Sequence, residues 1–87
     1  MKWRLMDYPI RTPDQLTHVL KGVRSKKKLS QAVVGARIGL KQEAISTLEC
    51  GPGAASLDRV LGLLSALGLE LVVRDIPEPP AKSQGEW

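Results

Sequence analysis

The 87-residue sequence predicts a mostly α-helical fold of four to five short helices followed by a single β-strand. Three features predict it. Apolar residues recur with helical spacing from residue 16 to residue 67, residues that begin and end helices bracket these stretches, and the spacing changes to alternation after residue 68. The core must come from Leu, Val, Ile and Ala, because the chain has no Phe, two Trp and one Tyr. A domain this small buries only about 60% of its unfolded surface, which favours a partner subunit.

The first helix has clear start and stop signals. Thr12, Pro13 and Gln15 place a hydroxyl at the N-cap, proline at the first helical position and an amide at the third, which predicts a capping box. One apolar stripe follows, on Leu16, Val19, Leu20 and Val23. The helix ends in cations that suit the negative end of its dipole: Arg24, Lys26, Lys27 and Lys28.

Two short helices are predicted between Ser30 and Cys50. Ser30 caps the second helix, and Gly39 ends it in the left-handed conformation that glycine favours there. The third helix begins at Lys41 or Gln42. Two helices joined by so tight a turn make a helix-turn-helix, whose first helix crosses the DNA backbone and whose second lies in the major groove.

The packing of these two helices also follows from the sequence. Gly35 inside a helix costs about 1 kcal/mol relative to Ala, so we expect the two backbones to approach closely there. Four apolar residues are expected to lock the helices together: Val34, Ile38, Ile45 and Leu48. The outward face of the third helix then carries side chains that suit base edges or phosphates: Lys41, Gln42, Glu43, Ser46 and Thr47.

A fourth helix and one strand complete the predicted domain. Ser56 caps the helix, Gly68 ends it, and four apolar residues are expected on one side: Val60, Leu61, Leu64 and Leu67. Alternation over residues 69–75 predicts the strand, with Leu69, Leu71, Val72 and Val73 as its apolar members. A lone strand needs a neighbour for its backbone, either the N-terminal arm or the same strand of a second copy. The second choice, a homodimer, is favoured.

The domain boundaries follow from these elements. Residues 1–11 form an N-terminal arm, residues 12–75 the domain, and residues 76–87 a flexible tail with three prolines. The tail contains Trp87, an aromatic residue whose hypothesised role is to dock on a partner, with loose packing on its own domain as the alternative.

Charge and composition narrow the function. Residues 1–50 carry ten Lys or Arg against four acids, which favours a polyanion such as nucleic acid as a partner. One cysteine excludes an intrachain disulfide, and no metal, cofactor or catalytic cluster is expected, so the chain is not predicted to be an enzyme. Cys50 is expected to be a small buried residue and His18 a surface residue. No apolar run approaches the length of about 18–20 residues that a membrane span needs, and a cytoplasmic protein is expected.

The middle of the chain resembles the Xre/Cro-type helix-turn-helix family over about residues 16–68. The pattern of that family is a Leu-(Ser/Thr)-Gln start, a small residue, a turn glycine, then Ile-Ser and Glu-x-Gly. Arg24 and the start of the fourth helix also fit the family. The matching residues are Leu29-Ser30-Gln31, Val34-Gly35, Ile38-Gly39-Leu40, Ile45-Ser46, Leu48-Glu49 and Gly51. Gly35 replaces the usual Ala, and Lys41 replaces a usual Ser or Thr.

The chain is also similar to HipB-type antitoxins in the run from Gly39 to Gln42, the strand after the fourth helix and the proline-rich tail with Glu86-Trp87. This resemblance implies a dimeric repressor that binds operators in double-stranded DNA, and a two-fold dimer paired through the strand would address a near-palindromic operator. It further implies autorepression of a toxin–antitoxin operon and binding of a HipA-type kinase toxin.

The resemblance and the chemistry of base edges give the candidate DNA contacts. Base contacts are expected from Lys41, Gln42 and Glu43. Phosphate contacts are expected from Gln31, Ser46, Thr47, Arg37, Lys27 and Lys28. Two alternatives remain open: a stand-alone Xre-family transcriptional regulator, and a protein-interaction module without DNA specificity.

Overall fold

The computed structural model describes residues 6–77, which form four α-helices and one short 3-10 helix. The helices are α1 (Pro13–Lys26), α2 (Gln31–Ile38), α3 (Gln42–Cys50) and α4 (Leu57–Ala66), and the 3-10 turn Pro52–Ala54 lies between α3 and α4. The predicted mostly helical architecture with a central helix-turn-helix is therefore confirmed. Within the described residues, no helix is long and apolar enough to cross a membrane.

The helix boundaries agree with the predicted caps. Thr12 and Gln15 form the capping box at the start of α1, with Thr12 Oγ1 accepting from the Gln15 backbone N–H. The hydroxyls of Ser30 and Ser56 accept from the third backbone N–H of α2 and α4, at 3.1 and 3.2 Å. Gly39, at φ 71°, ends α2 as predicted. Local sequence is enough to fix these ends, because each cap satisfies a backbone group that its own helix leaves without a partner.

The core lies where all four helices meet and is aliphatic, as predicted. Its buried residues are Leu20, Val23, Val34, Ile45, Leu48, Val60, Leu63, Leu64, Ala66 and Leu67, with Leu16, Val19 and Ile38 partly buried against them. Three side chains expected to lock α2 to α3 are therefore in the core, and Ile38 lies at its edge.

Two predictions about burial are wrong. Leu61, predicted to lie on the inner side of α4, is exposed, and Leu63 is fully buried instead. Helical spacing already favours Leu63, because Val60, Leu63, Leu64 and Leu67 lie at i, i+3, i+4 and i+7 of one face and Leu61 lies outside that series. Cys50, expected to be buried, is exposed at the last position of α3. His18 is exposed, as expected.

The strand predicted for residues 69–75 is not confirmed, since none of residues 6–77 is assigned to a β-strand. Leu69 packs against the core, whereas Leu71, Val72 and Val73 are exposed. Arg74 forms an exposed ion pair with Asp7 at 3.2 Å, so the N-terminal arm contacts this segment. The positions of Trp87, of the rest of 78–87 and of residues 1–5 lie outside the described residues.

Candidate nucleic-acid interface

The turn between α2 and α3 is tight because α2 carries glycine at the point of contact. Leu40 N–H donates to the Gly35 carbonyl at 2.9 Å, which folds the turn back on α2. A Cβ on Gly35 would overlap the Leu40 carbonyl oxygen and lie 3.2 Å from Ile45 Cγ1. The close approach predicted for Gly35 is therefore present.

The outward surface of α3 is polar, as the sequence predicts. Lys41, the N-cap residue, and Gln42 and Glu43, the first two helical residues, are all exposed. Ser46 is half-buried, and exposed Thr47 donates its hydroxyl hydrogen to the Glu43 carbonyl at 3.0 Å. The first turn of α3 therefore presents an ammonium, an amide and a carboxylate side by side, three groups that hydrogen-bond base edges.

A buried carboxylate lies behind this surface. Glu49 is completely buried, and its oxygens accept from Arg24 Nε at 2.5 Å and from Arg24 Nη2 at 3.2 Å. Arg24 also donates through Nη1 to the Leu29 carbonyl at 3.0 Å, which ties the end of α1 to the start of α2. This ion pair joins α1, the α1–α2 turn and α3 in one place.

The polar contacts continue outward from Glu49 to the predicted base-contacting residue. Gln31 Nε2 donates to Glu49 Oε1 at 3.0 Å, and Gln42 Nε2 donates to Gln31 Oε1 at 3.0 Å. We call Arg24, Glu49, Gln31 and Gln42 the polar relay. The structure thus brings together Gln31 and Gln42, the predicted phosphate contact and base contact.

The predicted backbone cations lie in different surroundings. Lys27 Nζ donates to the Leu67 carbonyl at 2.7 Å, and Arg37 Nη1 donates to the Ala66 carbonyl at 2.9 Å, so both hold the C-terminal end of α4. Lys28 is exposed and has a positive φ of 56° in the turn after α1. The sequence does not show that two of these three cations serve as helix caps.

The polar relay was missed in the sequence, although a signal for it exists. Ile45, Leu48 and Glu49 have the i, i+3, i+4 spacing of an inward helix face, so helical periodicity already places a carboxylate in the core. A buried carboxylate needs a cation, because burial of an unpaired charge is costly. Within residues 6–77, no three His, Cys, Asp or Glu side chains are grouped as metal ligands.

Comparison with known proteins agrees with this arrangement. A family model described as helix-turn-helix matches residues 20–73. Antitoxin HipB of Escherichia coli strain CFT073 is 32% identical over 82 residues, which are 90% of this chain and 87% of that protein. The chain belongs to the HipB family of helix-turn-helix antitoxins. Antitoxin HipB of Escherichia coli strain K12 is 30% identical over 90% of this chain and 93% of its own length.

Solved structures of HipB proteins have the same fold. A HipB variant in complex with the O2 20mer has a TM-score of 0.75 and 31% identity, and the match covers 80% of this chain and 97% of that one. HipB in complex with the O4 20mer has a TM-score of 0.72, with coverage of 77% of this chain and 94% of that one. This member of the HipB family therefore resembles its relatives, as they are in these complexes, over most of the chain.

Proposed function

We propose that this protein is a dimeric transcriptional repressor that inserts the start of α3 into the major groove of its operator. The observation that carries the proposal is the exposed amide of Gln42, which occupies the first position of α3 and is held by Gln31 at 3.0 Å. A side chain at this position of a helix-turn-helix meets base edges when the helix enters the groove. Solved complexes of HipB proteins with 20mers support the proposal.

Each residue on this surface has a chemical role in the proposal. Gln42 binds adenine, because an amide matches the donor at N6 and the acceptor at N7. Lys41 donates to guanine O6 and N7 or to a phosphate, and Glu43 accepts from cytosine N4.

Phosphate contacts in the proposal come from the edges of the same surface. Gln31 is the first residue of α2, where a helix N-terminus favours anions. The other phosphate contacts proposed on this surface are Ser46, Thr47 and Lys28. Thr47 must break its hydrogen bond to the Glu43 carbonyl before it can donate to a phosphate. Lys27 and Arg37 reach phosphate only by leaving the carbonyls of Leu67 and Ala66.

Dimerisation through residues 69–75 completes the proposed repressor. Leu71 and Val73 are 58% and 95% exposed, and a second copy of this segment would cover them while it pairs with the backbone. The recognition helices of a two-fold dimer address half-sites about 34–36 Å apart on a near-palindromic operator.

We further propose that a HipA-type kinase toxin is the protein partner and that the toxin operon is the repressed target. Relatives named as antitoxins support the first part. Deletion of residues 76–87 tests the role of the tail and Trp87. The truncated chain should bind DNA like the full chain and the toxin more weakly, and equal toxin affinity would exclude docking through the tail.

The direct test of DNA recognition is binding to the duplex immediately upstream of the gene, against a scrambled duplex, at two salt concentrations. A sequence-specific repressor binds the first duplex about 10³-fold or more tightly than the second. Weak binding that is equal for both duplexes and falls steeply with salt would indicate only non-specific attraction to phosphates. That result would favour a protein-interaction module instead.

A further inference from the structure

The C-terminal end of α4 is the point where the helices meet the segment proposed to form the dimer. We propose that Lys27 and Arg37, which we call the α4 clamp, are positioning residues for operator spacing. They fix the direction in which residues 69–75 leave α4, and thereby the separation of half-sites that the dimer accepts. This inference rests on the proposed function, because it assumes a dimer that reads two half-sites.

The clamp supplies hydrogen-bond donors to the last carbonyls of α4. The end of a helix leaves such carbonyls without a partner inside the helix. The Ala66 carbonyl accepts from Arg37 Nη1 at 2.9 Å, and the Leu67 carbonyl accepts from Lys27 Nζ at 2.7 Å. The last turn of α4 has no basic residue of its own, so the positive charge that suits this end comes from the ends of α1 and α2.

The turn after α4 is shaped to fit the clamp. Gly68 has a φ of 77°, the left-handed conformation that often ends a helix. A Cβ on Gly68 would lie 2.8 Å from Lys27 Nζ, so the ammonium group packs directly against the backbone of this turn. The next residue, Leu69, donates its backbone N–H to the Leu64 carbonyl at 2.8 Å and packs its side chain against the core. The path of the chain is therefore fixed as far as Leu69.

The clamp links this fixed point to the helix-turn-helix. Arg37 lies in the last turn of α2, two residues before Gly39, the turn glycine that leads to α3. Residues 70–77 are all exposed, so their direction depends on how Leu69 is held. In a two-fold dimer that pairs through this segment, the same link determines the distance and rotation between the two copies of α3. These must match half-sites about 34–36 Å apart.

The test changes the operator spacing and the clamp together. One base pair is inserted at the centre of the footprint on the upstream duplex, which separates the half-sites by about 3.4 Å more and rotates them by about a tenth of a turn. Affinity for both duplexes is measured for the parent and for Lys27→Met/Arg37→Met, in which methionine keeps an apolar stem but has no N–H to donate. We expect the ratio of affinities, original over inserted spacing, to fall about fivefold or more in the variant.

An unchanged ratio would overturn the proposal. Loss of a phosphate contact weakens binding to both duplexes equally, and it lowers the salt slope by about 0.9 for each cation. A less stable fold lowers the concentration of active protein equally on both duplexes. Neither effect changes the ratio, whereas a looser link between the dimer segment and α3 does.

Two control variants separate the clamp from charge in general. Lys21→Met/Lys26→Met removes the same number of cations from exposed positions of α1 and should keep the parent ratio. A fall as large as that of the clamp variant would assign the effect to net charge and contradict the proposal. Lys27→Arg/Arg37→Lys keeps a donor for each carbonyl and should keep most of the parent ratio. A ratio as low as that of the methionine variant would contradict action through the two carbonyls.

A measurement without DNA distinguishes failure of the clamp from failure of the proposed function. The Leu69 amide should exchange its hydrogen about tenfold faster in Lys27→Met/Arg37→Met, because donors with a charge hold this turn closed. The Ile45 amide in α3, which donates to the Lys41 carbonyl at 3.2 Å, should exchange at the parent rate. Equal exchange of Leu69 in both proteins would overturn the clamp, even if the parent binds its operator. A parent that binds no duplex specifically would instead remove the proposed function.

Discussion

The helix-turn-helix and the segment that follows α4 differ in where their contacts come from. In α2 and α3, the Ser30 cap, the turn glycine and the buried Val34, Ile45 and Leu48 all find partners within the chain. In residues 70–77 every side chain is exposed, Val73 to 95%. A single chain supplies the packing contacts of the helix-turn-helix. The apolar side chains of residues 70–77, in contrast, stay exposed in a single chain. Substitutions of the same kind in both regions should therefore have unequal effects.

The largest difference is expected for the two arginine ion pairs. Arg24→Met leaves the buried carboxylate of Glu49 without its cation and should lower the free energy of unfolding by about 3–5 kcal/mol. Arg74→Met breaks the pair with Asp7, in which both side chains are more than half exposed, and should cost at most about 1 kcal/mol. Urea unfolding of the two variants measures both values. Similar losses would show that burial does not separate the two pairs.

The second comparison tests the tight turn with a matched pair of glycines. Gly35→Ala places a methyl group against the Leu40 carbonyl, and it should cost about 1–3 kcal/mol as overpacking. A chain with Ala at this position must hold the turn farther from α2. Gly22→Ala in α1 meets no atom within 4 Å and should stabilise the fold by about 0.5–1 kcal/mol. Thermal melts that move in the same direction for both variants would contradict the close approach.

The third prediction concerns the exposed segment. If residues 69–75 pair across a dimer, Val73→Asn should weaken the dimer by about 1 kcal/mol or more, since it replaces an apolar side chain buried in the interface. Val33→Asn, on the exposed side of α2, should leave the dimer unchanged. Sedimentation equilibrium measures both dissociation constants. A dimer unaffected by Val73→Asn would place the interface elsewhere, and equal weakening by both variants would show no role specific to this segment.

The smallest effect is expected at the turn after α1. Lys28 has a φ of 56°, which favours glycine, so Lys28→Gly should stabilise the fold by about 0.5–1 kcal/mol. Lys26→Gly, inside the last turn of α1, should instead destabilise it by a similar amount. If Lys28 contacts a phosphate, the salt dependence of DNA binding should also lose about one unit of slope. An unchanged slope would remove Lys28 from the interface.

The fold was predictable where the signals are local. Thr12, Ser30, Gly39 and Ser56 each act on a backbone group within a few residues, so the sequence alone locates those helix ends. The inner face of α4 was predictable as well, because Val60, Leu63 and Leu64 have the i, i+3, i+4 spacing of one helix face and Leu61 does not belong to that series. Residues 69–75 have the apolar alternation of a strand. A strand also needs a second strand for its backbone hydrogen bonds, and the sequence does not specify which segment supplies it.

The exposed residues of the candidate site were predictable from the sequence, but the hydrogen bonds that hold them from behind were not. The exposure of Lys41, Gln42 and Glu43 follows from helical spacing. The relay from Glu49 through Gln31 joins residues 18 and 11 positions apart, and such contacts depend on the folded arrangement of three helices. The carbonyls that Lys27 and Arg37 contact at the end of α4 are even farther away in sequence, 40 and 29 positions, so the sequence alone does not distinguish these two cations from phosphate contacts.

The most direct test of base recognition by α3 is the affinity of Gln42→Ala for the upstream duplex and for a scrambled one. We predict that Gln42→Ala loses about 1–3 kcal/mol of binding free energy on the upstream duplex and changes little on the scrambled one. A loss of the same size on both duplexes would make Gln42 a phosphate contact and contradict base reading by α3.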